Sequence, residues 1–172
     1  LMDMFKQIVN LLKLRIGVIM MLTALVAMAV TPGQALDGMQ VMVLAFAVLI
    51  SAGSAGAFNQ SFEVDLDSVM QGTKDRPFVT GSFKKSPLWI LFILALLIVG
   101  VGSAVLFLNN AAALYIFLGA FFYGIIYTVL LKRRTWMNIV IGGAAGSFAV
   151  LAGAAAVDPD LSPIPILLAL VL

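Results

Sequence analysis

The sequence predicts an all-α, polytopic transmembrane helical bundle, and three observations predict it. Apolar residues make up 63% of the 172-residue chain and charged residues only 10%, against roughly 45–50% and about 25% in soluble domains. Mean hydropathy is +1.14. The apolar residues also fall into long runs separated by short polar connections. Eighteen charged side chains cannot cover the surface of a soluble fold of this size. The same composition excludes a disordered chain. With no cysteine and no histidine, the chain has no disulfide frame, thiolate nucleophile, Ser-His-Asp chemistry or histidine metal site.

Crossing a bilayer takes about 20 mostly apolar residues. Five runs qualify: 14–30, 39–58, 88–108, 111–131 and 139–157. A sixth starts at 163 and is still apolar at 172, ten residues on and too short to span. With Leu1 in the first position, this reads as one transmembrane domain over 1–172, incomplete, the N-terminal portion of a longer bundle. Ala27-Met28-Ala29 could pass for a signal-peptide cleavage site, but the first run is long for that and is followed by further spans. Thr31-Pro32-Gly33-Gln34, Asn109-Asn110 and Asp158-Pro159-Asp160 are tight turns. Glycine and alanine at 51–56 and 142–146 suit close helix packing in lipid; the second run lacks the strand context of a dinucleotide loop. No stretch reads as an amphipathic surface helix.

The bases set the topology. Lys6, Lys13 and Arg15 precede the first span; Lys74, Arg76, Lys84 and Lys85 follow the second; Lys132, Arg133 and Arg134 follow the fourth. These are all ten lysines and arginines, and they fall on one side of the membrane. The positive-inside rule places the N-terminus and both charged loops in the cytoplasm.

The second span runs into Asn59-x-x-x-Glu63-x-Asp65-Leu66-Asp67. Asn59, Glu63 and Asp67 are four apart, so on a helix they form one stripe about 12 Å long. Asp65 lies on the opposite side and joins them only where the helix loosens. An amide oxygen and two carboxylates are hard donors, suited to Mg²⁺ with waters and phosphate completing its shell. Such acids could instead simply solvate a helix end, although carboxylates at a C-terminus oppose the helix dipole. Thr73-Lys74-Asp75-Arg76-Pro77 then brings two bases within a few residues, as a diphosphate requires. Lys84 and Lys85 read as topological or lipid-headgroup residues. In the second basic loop, Tyr123, Tyr127 and Thr128 precede Lys132-Arg133-Arg134, and Asn138 opens the fifth span. Tyr127 and Lys132 are five apart, so not strictly on one α-helical face.

These residues resemble a known family. The Asn59–Asp67 motif with Met70, Thr73, Arg76-Pro77 and Val79-Thr80-Gly81 resembles the first aspartate-rich motif of the UbiA-type intramembrane prenyltransferases, nearest the branch that farnesylates protohaem IX. Tyr127-Thr128-x-x-Leu131-Lys132-Arg133-Arg134-Thr135-x-x-Asn138 is similar to that branch's second cytoplasmic loop, and Lys13-Leu14-Arg15 to its signature before the first span. Gly72 stands where the branch usually has arginine, and the family's second aspartate-rich motif is expected beyond Leu172. The resemblance implies a bundle of about nine helices in a bacterial cytoplasmic (inner) membrane. It implies transfer of farnesyl from farnesyl diphosphate to a vinyl group of haem B, with Mg²⁺ assisting diphosphate departure and an allylic carbocation as electrophile. It implies Asn59, Glu63, Asp65 and Asp67 as metal-side residues, with Asn59, Glu63 and Asp67 catalytic. Lys74, Arg76, Tyr127, Lys132, Arg133 and Asn138 are implied as diphosphate contacts. Haem-copper oxidase maturation proteins are implied partners, and nucleic acid is not. Two other readings stand beside it: the same fold with a quinone-precursor or chlorin acceptor, and a secondary transporter. Gly72-x-x-Asp75-Arg76 is one residue short of a transporter loop motif, and no charge needs to sit at mid-membrane, where transporters hold theirs.

Overall fold

A computed structural model describes residues 2–132, 134–135 and 137–171, apart from the side chains of Met2 and Asp3. The described residues are helical with connecting turns, and contain no strand. In order they form α1 (Met2–Leu11), α2 (Leu14–Val30), α3 (Gly38–Phe62), α4 (Val64–Val69), α5 (Pro87–Phe107), α6 (Asn110–Phe121), a π-helical segment (Phe122–Leu131), α7 (Asn138–Val157) and α8 (Pro163–Val171).

Four spans match the sequence reading: α3, α5, α6 with its π-helical continuation, and α7 are each long and apolar enough to cross a membrane. The first expected span, α2, has 17 residues and meets α1 at a bend of 49°. The ninth and last helix among the described residues, α8, starts at Pro163 as expected and has 9 residues.

Local chemistry explains the boundaries. Asp37 and Gln40 form a reciprocal capping box at the start of α3, with Gln40 N donating to Asp37 Oδ1 at 2.7 Å and Asp37 N donating to Gln40 Oε1 at 3.1 Å. Ser86 caps α5, whose first residue is Pro87, already fixed at a helical φ. The Asn109 side chain accepts from Ala112 N at 2.8 Å and donates to Ala155 O at 2.8 Å, tying α6 to the end of α7.

Packing is inverted relative to a soluble protein. The buried core is largely alanine, including Ala24, Ala47, Ala104, Ala112, Ala152 and Ala155, while Leu106, Ile139 and Leu170 point outward. Small residues let backbones approach, and large apolar ones face lipid. At Gly153 the α7 backbone lies against α2, and a Cβ there would overlap Ala24 O.

Two features depart from the sequence reading. First, α1 is an amphipathic helix, where no such helix was expected. Met4, Phe5, Ile8, Val9 and Leu11 share one side, with Lys6, Gln7 and Asn10 on the other. At ten residues its pattern is too short to stand out beside the spans. Second, the fourth span changes from α to π geometry at Phe122, which apolar composition alone does not signal.

Candidate active site

The acidic motif lies where α3 breaks. Glu63 leaves helical geometry at φ −98°, ψ 22°, and α4 starts at once. The four-residue step survives the break, because Glu63 N donates to Asn59 O at 3.1 Å and Asp67 N to Glu63 O at 2.9 Å. Asn59, Glu63 and Asp67 therefore remain one stripe, and all three are buried. Asp65 is exposed on the other side of the turn, so the break does not bring it into line.

Each stripe residue meets a base from a different part of the chain. Lys13, at the α1–α2 junction, donates from Nζ to Asn59 Oδ1 at 2.5 Å. Lys132 Nζ lies 2.5 Å from Glu63 Oε2. Arg76 reaches Asp67 Oδ2 at 2.5 Å. Asn59 Nδ2 donates to Glu63 Oε2 at 2.7 Å and to Thr128 Oγ1 at 3.1 Å, joining the acidic motif to the fourth span. The loop carrying Arg76 is fastened from both sides. Thr73 Oγ1 donates to Asp67 O at 2.9 Å, and buried Phe78 packs with Phe83 and Trp89.

The π-helical segment supplies the aromatic side of the site. Its wider turn brings residues five apart together, as in Thr128 Oγ1 donating to Tyr123 O at 2.8 Å and Lys132 N to Tyr127 O at 2.9 Å. Tyr127 and Lys132 consequently share a face, which α-helical geometry did not predict, and Lys132 Nζ sits 5.7 Å from the Tyr127 ring centroid. Tyr123 and Tyr127 stack with centroids 5.4 Å apart. The Tyr123 hydroxyl accepts from Lys13 Nζ at 2.9 Å. Gly142 makes room for the pair, since a Cβ there would lie 2.7 Å from the Tyr127 ring.

Among the other expected contacts, Lys74 is exposed, Asn138 is half-buried at the start of α7, and Arg133 lies outside the described residues. Lys13, Tyr123 and Thr128 are the members that motif reasoning did not assign. Lys13 had counted only toward topology and the pre-span signature; no local spacing links it to Asn59, 46 residues away.

Charge at this point is concentrated. Lys13 lies just outside the α2 span, and burial first, then Arg76 and Lys132, pull its ammonium down to about 8. Glu63 Oε1 is buried with no hydrogen-bond partner among the described residues. No three acidic, histidine or cysteine residues gather around a point among the described residues. The available donors are two carboxylates and the Asn59 amide oxygen. That sparse, hard-oxygen set, with one carboxylate oxygen unengaged, fits Mg²⁺, which leaves most of its shell to water and phosphate.

Directly below lies a cavity of about 420 Å³ between α2, α3, α6, the π-helical segment and α7. Lys13 and Tyr123 line it at the site, while Met20, Thr23, Tyr115 and Ala152 line it farther in. Thr23 is nine residues into α2 from Leu14, about 14 Å at about 1.5 Å per residue, so the chamber runs toward the middle of the bilayer. The arrangement suits a molecule with an anionic head at the bases and a long apolar tail in the chamber.

Comparison with known proteins identifies relatives over most of the chain. The Protoheme IX farnesyltransferase 2 of Paramagnetospirillum magneticum is 54% identical over 167 residues, which is 97% of this chain and 58% of the relative. The Protoheme IX farnesyltransferase of Caldivirga maquilingensis is 38% identical over 87% of this chain and 53% of its own length. The chain thus spans somewhat over half the length of these curated relatives. A UbiA homologue from Archaeoglobus fulgidus bound to DMAPP and Mg²⁺ superposes with a TM-score of 0.80 at 17% identity, over 93% of this chain and 57% of that one. At that identity the likeness shows the fold. The model of the UbiA prenyltransferase family matches residues 20–172, and the chain belongs to that family.

Proposed function

We propose that this chain carries the first diphosphate half-site and much of the prenyl chamber of an enzyme that transfers farnesyl from farnesyl diphosphate to a vinyl group of haem B, giving haem O. One observation carries the reading. Asn59, Glu63 and Asp67 form a buried stripe on which three bases from three separate segments converge, and one of those bases, Lys13, also lines an apolar chamber. The names of the relatives support the acceptor, and family membership favours transfer chemistry over transport.

Glu63, Asp67 and the Asn59 amide oxygen would hold Mg²⁺, which when bound neutralises charge on the diphosphate as it leaves. Lys132, Arg76 and Lys13 move from their carboxylate and amide partners to the diphosphate oxygens, stabilising charge that grows as the allylic C–O bond ionises. The chamber excludes bulk water from the farnesyl cation. The haem vinyl group attacks that cation, and water adds to the resulting haem-side carbocation and gives up a proton to the departed diphosphate or to solvent, leaving the hydroxyethylfarnesyl group. Of the stacked pair, Tyr123 lines the chamber and Tyr127 lies beside Lys132, where an aromatic surface favours passing positive charge. With every base on one side, the site opens to the cytoplasmic face of a bacterial inner membrane.

The test is haem O formation from farnesyl diphosphate and haem B by membranes carrying the full-length protein. Glu63→Gln and Asp67→Asn are each expected to slow it by about 10²-fold or more. Unchanged rates in both variants would refute the assignment.

A further inference from the structure

The α1 helix lies outside the machinery described so far and leaves an apolar face uncovered. Met4, Phe5 and Ile8 are 54%, 68% and 37% exposed. On α2, Val18, Leu22 and Val26, which do not line the chamber, are also exposed. The 49° bend turns α1 away from the span direction. Lys6 and Asn10 are exposed on its polar side, on the membrane face that carries every base of the chain. An amphipathic helix so placed, with a lysine on its polar edge, matches the interfacial region of an anionic bilayer.

The junction is under conformational constraint. Lys13 is in the left-handed region at φ 47°, ψ 44°, a conformation that a residue with a Cβ adopts when its surroundings impose it. Leu11 is fully buried with Ala57, Phe78 and Ile93. Gln60 Nε2 donates to Asn10 O at 2.7 Å. Leu12 and Lys13 pack where α3 offers Gly53 and Gly56. The direction in which α1 leaves this junction therefore fixes the direction in which Lys13 reaches Asn59.

We propose that α1 is a membrane-surface helix that embeds Met4, Phe5 and Ile8 at the headgroup–acyl boundary of an anionic bilayer, and that this seating holds Lys13 on Asn59. The first part stands alone; the second rests on the diphosphate reading above. Residues 1–172 contain no cysteine, so single Phe5→Cys, Ile8→Cys, Lys6→Cys and Asn10→Cys variants of the full-length protein, with any cysteine beyond residue 172 replaced by serine, can be nitroxide-labelled in phosphatidylcholine–phosphatidylglycerol vesicles. Labels at 5 and 8 are expected to be open to oxygen and shielded from a water-soluble nickel chelate, and labels at 6 and 10 the reverse. Equal nickel access at all four positions, or shielding of position 5 from both reagents as under a protein partner, overturns the membrane seating. For the coupling, the Phe5→Ser/Ile8→Ser double variant is expected to bind inorganic diphosphate with Mg²⁺ about fivefold or more weakly. A lipid-facing control, Leu106→Ser, is expected to bind normally. Unchanged affinity in the double variant overturns the coupling. Absence of binding in the unaltered protein refutes the diphosphate reading and the coupling with it, while the label pattern still decides where α1 lies.

Discussion

Replacing Lys132 with methionine separates a working ion pair from a topological charge. Lys132 Nζ is 2.5 Å from Glu63 Oε2, and the Glu63 side chain is 0% exposed while that of Lys132 is 27% exposed. Among the described residues Glu63 Oε1 lacks a partner, and Lys132→Met leaves a buried carboxylate whose remaining side-chain donor among them is the Asn59 amide. Breaking a fully buried pair costs about 3–5 kcal/mol. Water reaching the Lys132 side lowers that to about 2–3 kcal/mol. In a chain of this size that corresponds to a fall in Tm of roughly 4–12 °C. Adding Glu63→Gln removes the stranded charge, so the double variant is expected to recover at least about 1 kcal/mol relative to additivity. The assay is reversible unfolding of the four proteins of the cycle in mixed micelles, in magnesium-free buffer. A Lys132→Met protein as stable as the parent, or strictly additive variants, would refute the pairing and return Lys132 to the role of a positive-inside residue.

Three further outcomes follow from the geometry. Gly153→Ala drives a Cβ into Ala24 O, backbone that cannot step aside; α2 and α7 must separate, at a cost of about 1–3 kcal/mol or more, seen as a lowered unfolding midpoint. Gly142→Ala displaces the Tyr127 ring, whose nearest atom is 2.7 Å from the added carbon. Losing its stacking, about 0.5–1.5 kcal/mol, is expected to raise the KM for farnesyl diphosphate by roughly twofold to tenfold, and an unchanged KM would place Tyr127 outside the site. Asp65→Asn is expected to change the rate of haem O formation far less than Asp67→Asn, because Asp65 is exposed and Asp67 is buried against Arg76; equal losses would mean that Asp65 turns inward.

The span boundaries were legible because lipid imposes a simple rule: a long apolar run must be a helix, and the turns between runs carry their own markers. Asp37, Ser86 and Asn109 do cap helices where polar residues interrupt the apolar pattern. The Asn59-Glu63-Asp67 stripe was legible from its four-residue spacing, which the hydrogen bonds across the break preserve. Other parts depend on contacts far apart in sequence. Nothing local to Lys13 shows that it reaches both Asn59 and Tyr123. Tyr127 and Lys132 looked misaligned because their spacing was judged by α-helical geometry, whereas the segment is π-helical. Gly142, one of several similar glycines in an apolar run, acquires its role only from the ring opposite it. The amphipathic α1 was missed because apolar runs dominate the chain and its own pattern lasts ten residues.

The most direct test of the site is a pair of calorimetric titrations, with inorganic diphosphate added in the presence and in the absence of Mg²⁺. The residues suited to the metal, Glu63, Asp67 and Asn59, are the ones that Lys132, Arg76 and Lys13 engage. Metal alone would therefore strand three cations, diphosphate alone would strand two carboxylates, and the two together exchange partners with charge balanced. Each ligand is expected to tighten binding of the other by about tenfold or more, equally in both directions, and Glu63→Gln with Asp67→Asn is expected to remove that coupling. Diphosphate binding that ignores Mg²⁺, or coupling that survives loss of both carboxylates, would contradict the proposed site.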